Sequence, residues 1–211
     1  MRVAIVGGPG IGKSTLVRQL GDLYHNGSYG EGEKGVWDPR VLEDIEAGRN
    51  PVGVTAYFAG LYDANYRDAA TSDGPDKVIF FEGARITLEA HFVEYPEKSH
   101  AELARVVAMA DGWSPDRIIV LTSSIDTIEK HIKQRSRAHE NVDNMVRRFR
   151  LIDGEFRRLA PKYPEAIVID RDGKEFHDRR GLLDIINAAG LPPFREIPYE
   201  RLEQFPQARR P

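Results

Sequence analysis

Apolar residues fall into two arrangements along this chain: short unbroken runs, and stripes that recur every three to four positions. Arg2–Val6, Lys77–Phe81, Arg117–Thr122 and Ala166–Asp170 are runs, the pattern of strands buried on both faces. Lys13–Tyr24 is striped, with Leu16, Val17, Leu20 and Leu23 on one side of a helix. Helices are likewise predicted over Arg40–Glu46, Val54–Ala70, Ser99–Asp111, Ile125–Arg135, Val142–Leu159 and Arg180–Ala189. Val36-Trp37 reads as one more short strand. Asn26–Gly35, with four glycines, reads as a loop, and Thr71–Asp76 and Gly112–Asp116 as turns or breaks. Strands separated by helices imply a parallel sheet with crossover helices. The expectation is one three-layer α/β domain over residues 1–190 with about five strands. Gly190–Pro211 carries five prolines and is expected to run as an extended tail over 191–211, partly packed through Phe194, Ile197, Tyr199, Leu202 and Phe205.

A length of 211 residues and 41% hydrophobic content suit a single domain of this kind. The net charge of −3 gives the whole molecule no general pull on nucleic acid. Residues 1–100 hold 10 Lys+Arg against 15 Asp+Glu, so the cations gather later, around Lys130–Arg158. There is no cysteine, which excludes disulfides and thiolate metal sites, and the histidines show no ligand spacing. No apolar run approaches the roughly 18 residues of a spanning helix, and the amino end lacks a signal-peptide pattern. The expectation is a soluble, cytoplasmic protein without membrane contact, with a homodimer as the candidate assembly.

The strongest chemical signal is Gly7-Gly8-Pro9-Gly10-Ile11-Gly12-Lys13-Ser14, which fits G-x-x-x-x-G-K-[ST]. Glycines let successive backbone N–H groups converge on one anion, and the helix that follows adds the positive end of its dipole. Lys13 can reach the β- and γ-phosphates, and the Ser14 hydroxyl can sit on Mg²⁺. A buried strand before the motif and an amphipathic helix after it supply its required context. Gly8, Gly10, Ile11, Gly12, Lys13, Ser14 and Thr15 are therefore the candidate nucleotide-binding residues, with ATP and Mg²⁺ as the implied cofactors.

A phosphate loop does not by itself state a function. The guanine-reading Asn-Lys-x-Asp of switch GTPases is missing from Thr122–Asp126. "GGPGIGKST" resembles the loop of nucleoside monophosphate kinases. Asp38-Pro39 lies where thymidylate and deoxynucleoside kinases place an acidic residue before proline. "VIFFEGAR" resembles the deoxynucleoside-kinase strand that ends in Glu-Arg-Ser, "HIKQRSRAHENVDNMVRRFRLIDGEFRRL" the lid and following helix of thymidylate kinases, and "PEAIVIDRDG" their last strand. The resemblance covers about residues 1–190. It implies the P-loop kinase fold with a short basic lid, near 133–142, and transfer of a γ-phosphoryl group to a nucleoside or nucleotide.

By that resemblance Glu82, at a strand end, holds a water of the Mg²⁺ shell; otherwise it caps the next helix. Asp38 is the candidate general base for an acceptor hydroxyl, or a ligand of a sugar or metal water, or an ordinary Asp-Pro turn. Arg135 and Arg137, with Lys133 and His139 nearby, are candidates to stabilise the transferring group; a solvated charge run is the alternative. Arg147, Arg148 and Arg150 cannot all face one ligand. Arg85 is a candidate for an acceptor phosphate or 5′-oxygen. Tyr57, Phe58, Tyr62 and Asn65, with Leu61 and Tyr66, lie on adjacent turns of one helix, where some stack or read a base and the rest are core. Trp37 stands where thymidylate kinases carry an arginine. Gly83 stands where the Arg of Glu-Arg-Ser would be, and no glutamine occurs between Gln19 and Gln134. The donor side is thus intact and the acceptor side rewritten. Two further functions are kept: a kinase of a hydroxymethylated pyrimidine within DNA, using the basic stretch on the backbone, and a nucleotide-dependent switch or binding module.

Overall fold

Five strands form one sheet in the order β2-β3-β1-β4-β5, every neighbour parallel. They are β1 (Arg2–Gly7), β2 (Ser28–Tyr29), β3 (Ile79–Glu82), β4 (Arg117–Thr122) and β5 (Ala166–Asp170). The helices are α1 (Lys13–Tyr24), α2 (Pro39–Ala47), α3 (Pro51–Ser72), α4 (Arg85–Ala90), α5 (His100–Met109), α6 (Ile125–Arg135), α7 (Val142–Leu159) and α8 (Arg179–Ala188). This computed structural model describes residues 1–26, 28–31, 37–72, 74, 77–109, 114–135 and 141–194.

The unbroken apolar runs of β1, β3 and β4 are explained by helices on both faces of the sheet, whereas β5, expected to be buried on both faces, lies at the sheet edge with Val168 exposed. Along β1, Val3 and Ile5 pack with Leu16 and Leu20 of α1 and Ile185 of α8, while Ala4 and Val6 pack with Ile86 of α4 and Ile152 and Phe156 of α7. Successive side chains point to opposite faces, and both faces are covered. A third cluster joins α3 to β3 through Tyr62, Tyr66 and Phe81, with the Tyr66 and Phe81 rings stacked 4.1 Å apart.

Three expectations are corrected. The edge strand is Ser28–Tyr29, inside the stretch read as a loop, whereas Trp37 is not in a strand and Val36 lies outside the described residues. The helix read over Val54–Ala70 begins at Pro51 and continues through Ser72, absorbing the start of the expected turn. Residues 83–98, given no element from the sequence, hold α4 and the 3₁₀ turn His91–Glu94, and a second 3₁₀ turn, Glu97–Ser99, takes in the first residue of the helix expected from Ser99. Of the expected tail only residues up to Phe194 are described; Phe194 packs edge-on against Tyr24 at 6.0 Å. Among the described residues no helix is long and apolar enough to cross a membrane.

Candidate active site

All five strands point their carboxyl ends the same way, which gathers the loops after β1, β2 and β3 along one edge. After β1 the chain turns through Gly8–Gly12 and α1 begins at Lys13. Gly12 is the N-cap of α1 at φ +95°, and no side chain caps that helix end, so its first-turn N–H groups are turned toward whatever lies beyond it. The position requires glycine, because a Cβ there would sit 2.9 Å from Arg171 Nη1 and 3.0 Å from the Phe176 ring. Arg171 follows β5, is buried, donates from Nη1 to the Ile11 carbonyl, and lies 4.4 Å over the Phe176 ring. A buried cation thus braces the loop from behind. Ile11 itself is buried and contributes only its backbone. Lys13 Nζ lies 3.4 Å from the Gly8 carbonyl, and Thr15 is half-buried on the same turn as the exposed Ser14.

One carboxylate, Glu82, meets this loop, and Glu31 stands beside it. Ser14 Oγ donates to Glu82 Oε1 at 3.0 Å, and the Glu31 backbone N–H approaches Glu82 Oε2 at 3.5 Å. Burial pushes the Glu82 carboxyl above its ordinary range and the Glu31 charge pushes the same way, against Lys13 and the Ser14 hydrogen bond. A hard dication beside the Ser14 hydroxyl would relieve that cost, so the donor set fits Mg²⁺ held largely by phosphates and water. Among the described residues there is no cluster of three or more acidic or histidine side chains able to hold a metal alone.

Glu31 is held from several sides. The Tyr62 hydroxyl donates to its carboxylate, and Trp37 Nε1 donates to its carbonyl at 2.7 Å. Asn65 Nδ2 donates to the neighbouring Gly30 carbonyl at 3.3 Å. Burial, then the charges of Glu31 and Glu82, push the Tyr62 phenol well above its ordinary range, so it remains a donor. Gly83, at φ +92°, leaves the space this ring occupies: a Cβ there would come within 2.2 Å of Tyr62 Cζ. The arginine of a Glu-Arg-Ser strand end has no room here.

Beyond Glu31 opens a cavity of about 160 Å³. Its walls include Pro9 and Lys13 of the phosphate loop, Trp37, Leu42 and Ile45 near α2, and Val54, Thr55, Phe58 and Tyr62 of α3. Thr87, Leu88 and His91 line it from α4 onward, with Glu94, Tyr95 and, from α7, Met145 and Arg148. The Trp37 and Phe58 rings stand nearly perpendicular, 5.0 Å apart. Arg148 grips Glu94 with both Nε (2.5 Å) and Nη2 (3.0 Å), and His91 Nδ1 pairs with Glu94 Oε2 at 2.6 Å. Burial alone would raise the Glu94 carboxyl, but the hydrogen bonds and charges of His91 and Arg148 outweigh it and hold the group at about 2.

The sequence-derived candidates divide accordingly. Lys13, Ser14, Glu82, Trp37, Phe58 and Tyr62 are brought together. Asp38 is exposed, caps α2 by accepting from the Arg40 N–H at 2.9 Å, and lines a shallow surface depression with Tyr57. Its carboxylate is committed to the helix end and is not on the cavity wall. Asn65 supports the β2 exit and does not line the cavity either. Arg85 begins α4, pairs with Glu89 at 3.0 Å, and lines a second cavity of about 320 Å³ between α4, α5 and α7. Arg147 and Arg150 are exposed while Arg148 turns inward. Arg135 ends α6 with its side chain outside the described set, and Arg137 lies outside the described residues. Glu31, Arg171, His91 and Glu94 were not singled out. Each acts through a partner more than one element away or in an unassigned stretch, and no spacing marks them.

No protein-family model and no curated protein sequence matches the chain. Solved structures do resemble it. A thymidylate kinase from Candida albicans gives a TM-score of 0.66 at 14% identity, over 90% of this chain and 92% of that one. A deoxyadenosine kinase from M. mycoides with products dCMP and a flexible dCDP bound gives 0.66 at 15% identity, over 90% and 99%. A NadR protein in complex with NR gives 0.59 at 16% identity, over 94% of this chain and 52% of that one. The chain therefore has the fold of P-loop nucleoside and nucleotide kinases.

Proposed function

We propose that this protein is an ATP-dependent kinase that transfers the γ-phosphoryl group to a hydroxyl of a nucleoside. The observation that carries the reading is the position of Glu31: its backbone meets the Ser14–Glu82 pair, and its carboxylate opens on an aromatic-walled cavity. A nucleotide acceptor would call for a cation to hold its phosphate. Among the described residues the cavity's arginine and lysine are Arg148, its charge balanced by the Glu94 carboxylate, and Lys13, assigned to the donor phosphates. A neutral, hydroxyl-bearing acceptor suits that charge arrangement better.

In this mechanism the N–H groups at the start of α1 and the Lys13 ammonium hold the β- and γ-phosphates in line with the cavity. Ser14, with Glu82 behind it, would hold Mg²⁺, which neutralises charge on the phosphate oxygens when bound. Tyr62 fixes the Glu31 carboxylate, which takes the proton of the acceptor hydroxyl as the new O–P bond forms and the bond to the leaving ADP oxygen breaks. Trp37, Phe58 and Tyr62 flank the planar base. Arg135 and Arg137 are assigned to the equatorial oxygens of the transferring group, where guanidinium donors stabilise spread negative charge. Arg171 fixes the Ile11 carbonyl and hence the direction of the loop's amides.

Labelled ATP offered with nucleosides, nucleoside monophosphates and hydroxymethylated DNA tests this. Label on a nucleoside is the expected result. Label on a monophosphate overturns the hydroxyl assignment, label in DNA favours a kinase of modified bases, and free phosphate alone favours a switch.

A further inference from the structure

The cavity has a polar end that phosphoryl transfer does not use. Thr87 lies beside Tyr62 and so beside Glu31. His91 is one helical turn further along the same side of the chain, about 6 Å away at 1.5 Å per residue. Past it stands Glu94, with Arg148 bonded directly to it. A nucleoside whose sugar hydroxyl meets Glu31 would extend its base toward this end.

The donor accounting there is asymmetric. A guanidinium carries five N–H groups. Two of Arg148's go to Glu94, whose oxygens also receive His91. Among the described residues Glu94 is the only hydrogen-bond acceptor of Arg148, which leaves three N–H groups on a side chain that lines the cavity. The grip on Glu94 fixes the guanidinium plane, so its remaining edge is pre-aimed. The carboxylate, already engaged on both oxygens, has little to offer a ligand's amino group. This end of the cavity therefore presents donors and asks for an acceptor atom.

We propose that Arg148, locked by Glu94 and His91, is the specificity-determining residue for the base, and that the acceptor is a nucleoside whose base carries a ring carbonyl. The proposal rests on the kinase reading above and names its substrate class. Uracil, cytosine and hypoxanthine offer such an oxygen; adenine does not.

Trp37 lies in the cavity wall, so its fluorescence reports binding without turnover. Titration of the full chain with uridine, cytidine, inosine and adenosine should give carbonyl-bearing nucleosides at least about tenfold lower Kd than adenosine, as a charge-assisted hydrogen bond implies. Inosine against adenosine exchanges the 6-amino group and bare N1 for a carbonyl and N1–H at constant ring size. Arg148→Lys keeps the charge but cannot both grip Glu94 bidentately and present a second edge. It should cut the preference below about threefold while the Kd for ATP stays within about twofold. Equal affinity for inosine and adenosine in the unaltered protein overturns the proposal, and that comparison needs no variant to fold. So does an undiminished preference in Arg148→Lys with ATP binding intact. Binding preference without label transfer would sink the kinase reading and leave the recognition standing; transfer without preference would sink the recognition alone.

Discussion

The two halves of the site are built in opposite ways. The half proposed for the phosphate donor is a single run, residues 8–15, offering backbone amides, one ammonium and one hydroxyl. The half proposed for the acceptor draws on the exit of β2, the entry to α2, one face of α3, α4 with the turn after it, and α7. Backbone chemistry needs only the right glycines at the right spacing, so it is written in consecutive letters. A cavity wall needs side chains from distant segments to meet, so it is written in the packing.

The largest effect that separates the halves is expected from Lys13→Ala. Transfer should be abolished, while nucleoside binding measured through Trp37 changes less than about twofold; loss of both would mean that the halves are one unit. Next comes Glu31→Gln, which should lower kcat by about 10²–10⁴ if Glu31 is the general base, with KM for ATP little changed. A fall of less than threefold would remove Glu31 from proton transfer.

A smaller effect concerns stability within the acceptor half. Glu94 titrates at about 2 in the folded chain against an ordinary 4.5. A folded value below the unfolded one means stability that is complete above pH 4.5 and lost as pH falls toward 2, on the order of 3 kcal/mol. Acid unfolding of Glu94→Gln should therefore be flatter over that window than in the parent; an unchanged acid limb would show that the Arg148–Glu94–His91 group does not hold the cavity end. The smallest effect is expected from Asp38→Ala. Loss of the α2 cap should cost about 1 kcal/mol in a denaturant melt, with kcat altered less than threefold. A hundredfold fall in kcat would return the base to Asp38.

The same contrast explains what could be read in advance. The runs 2–6 and 117–122 are strands because burial on both faces demands apolar residues throughout, and that demand is visible in one dimension; the run 166–170 is equally apolar but forms the half-exposed edge strand β5. Lys13–Tyr24 and Val142–Leu159 were equally plain, since their stripes face a continuous sheet. Ser28–Tyr29 was not, because two residues carry no period and pairing with Phe80 and Phe81 is what makes them a strand. Asp38-Pro39 drew attention as chemistry when its local pattern equally described a helix start, and the cap is what the fold made of it. Glu31 stands next to Glu82 only because β2 and β3 are neighbours across fifty intervening residues. Gly83 looked like a substitution for an arginine; its reason is the Tyr62 ring twenty-one positions earlier.

The two-residue β2 has one more consequence. Its register with β3 supplies only a short seam, and the chain leaving it is fastened by Asn65, Trp37 and Tyr62 side chains rather than by a ladder. Amide exchange at Gly30 and Glu31 should accordingly outpace that at Phe80 and Phe81. An outer panel hung on three pins can be refitted by exchanging the pins, so descendants of such a framework change customers while the other four strands stay as they are.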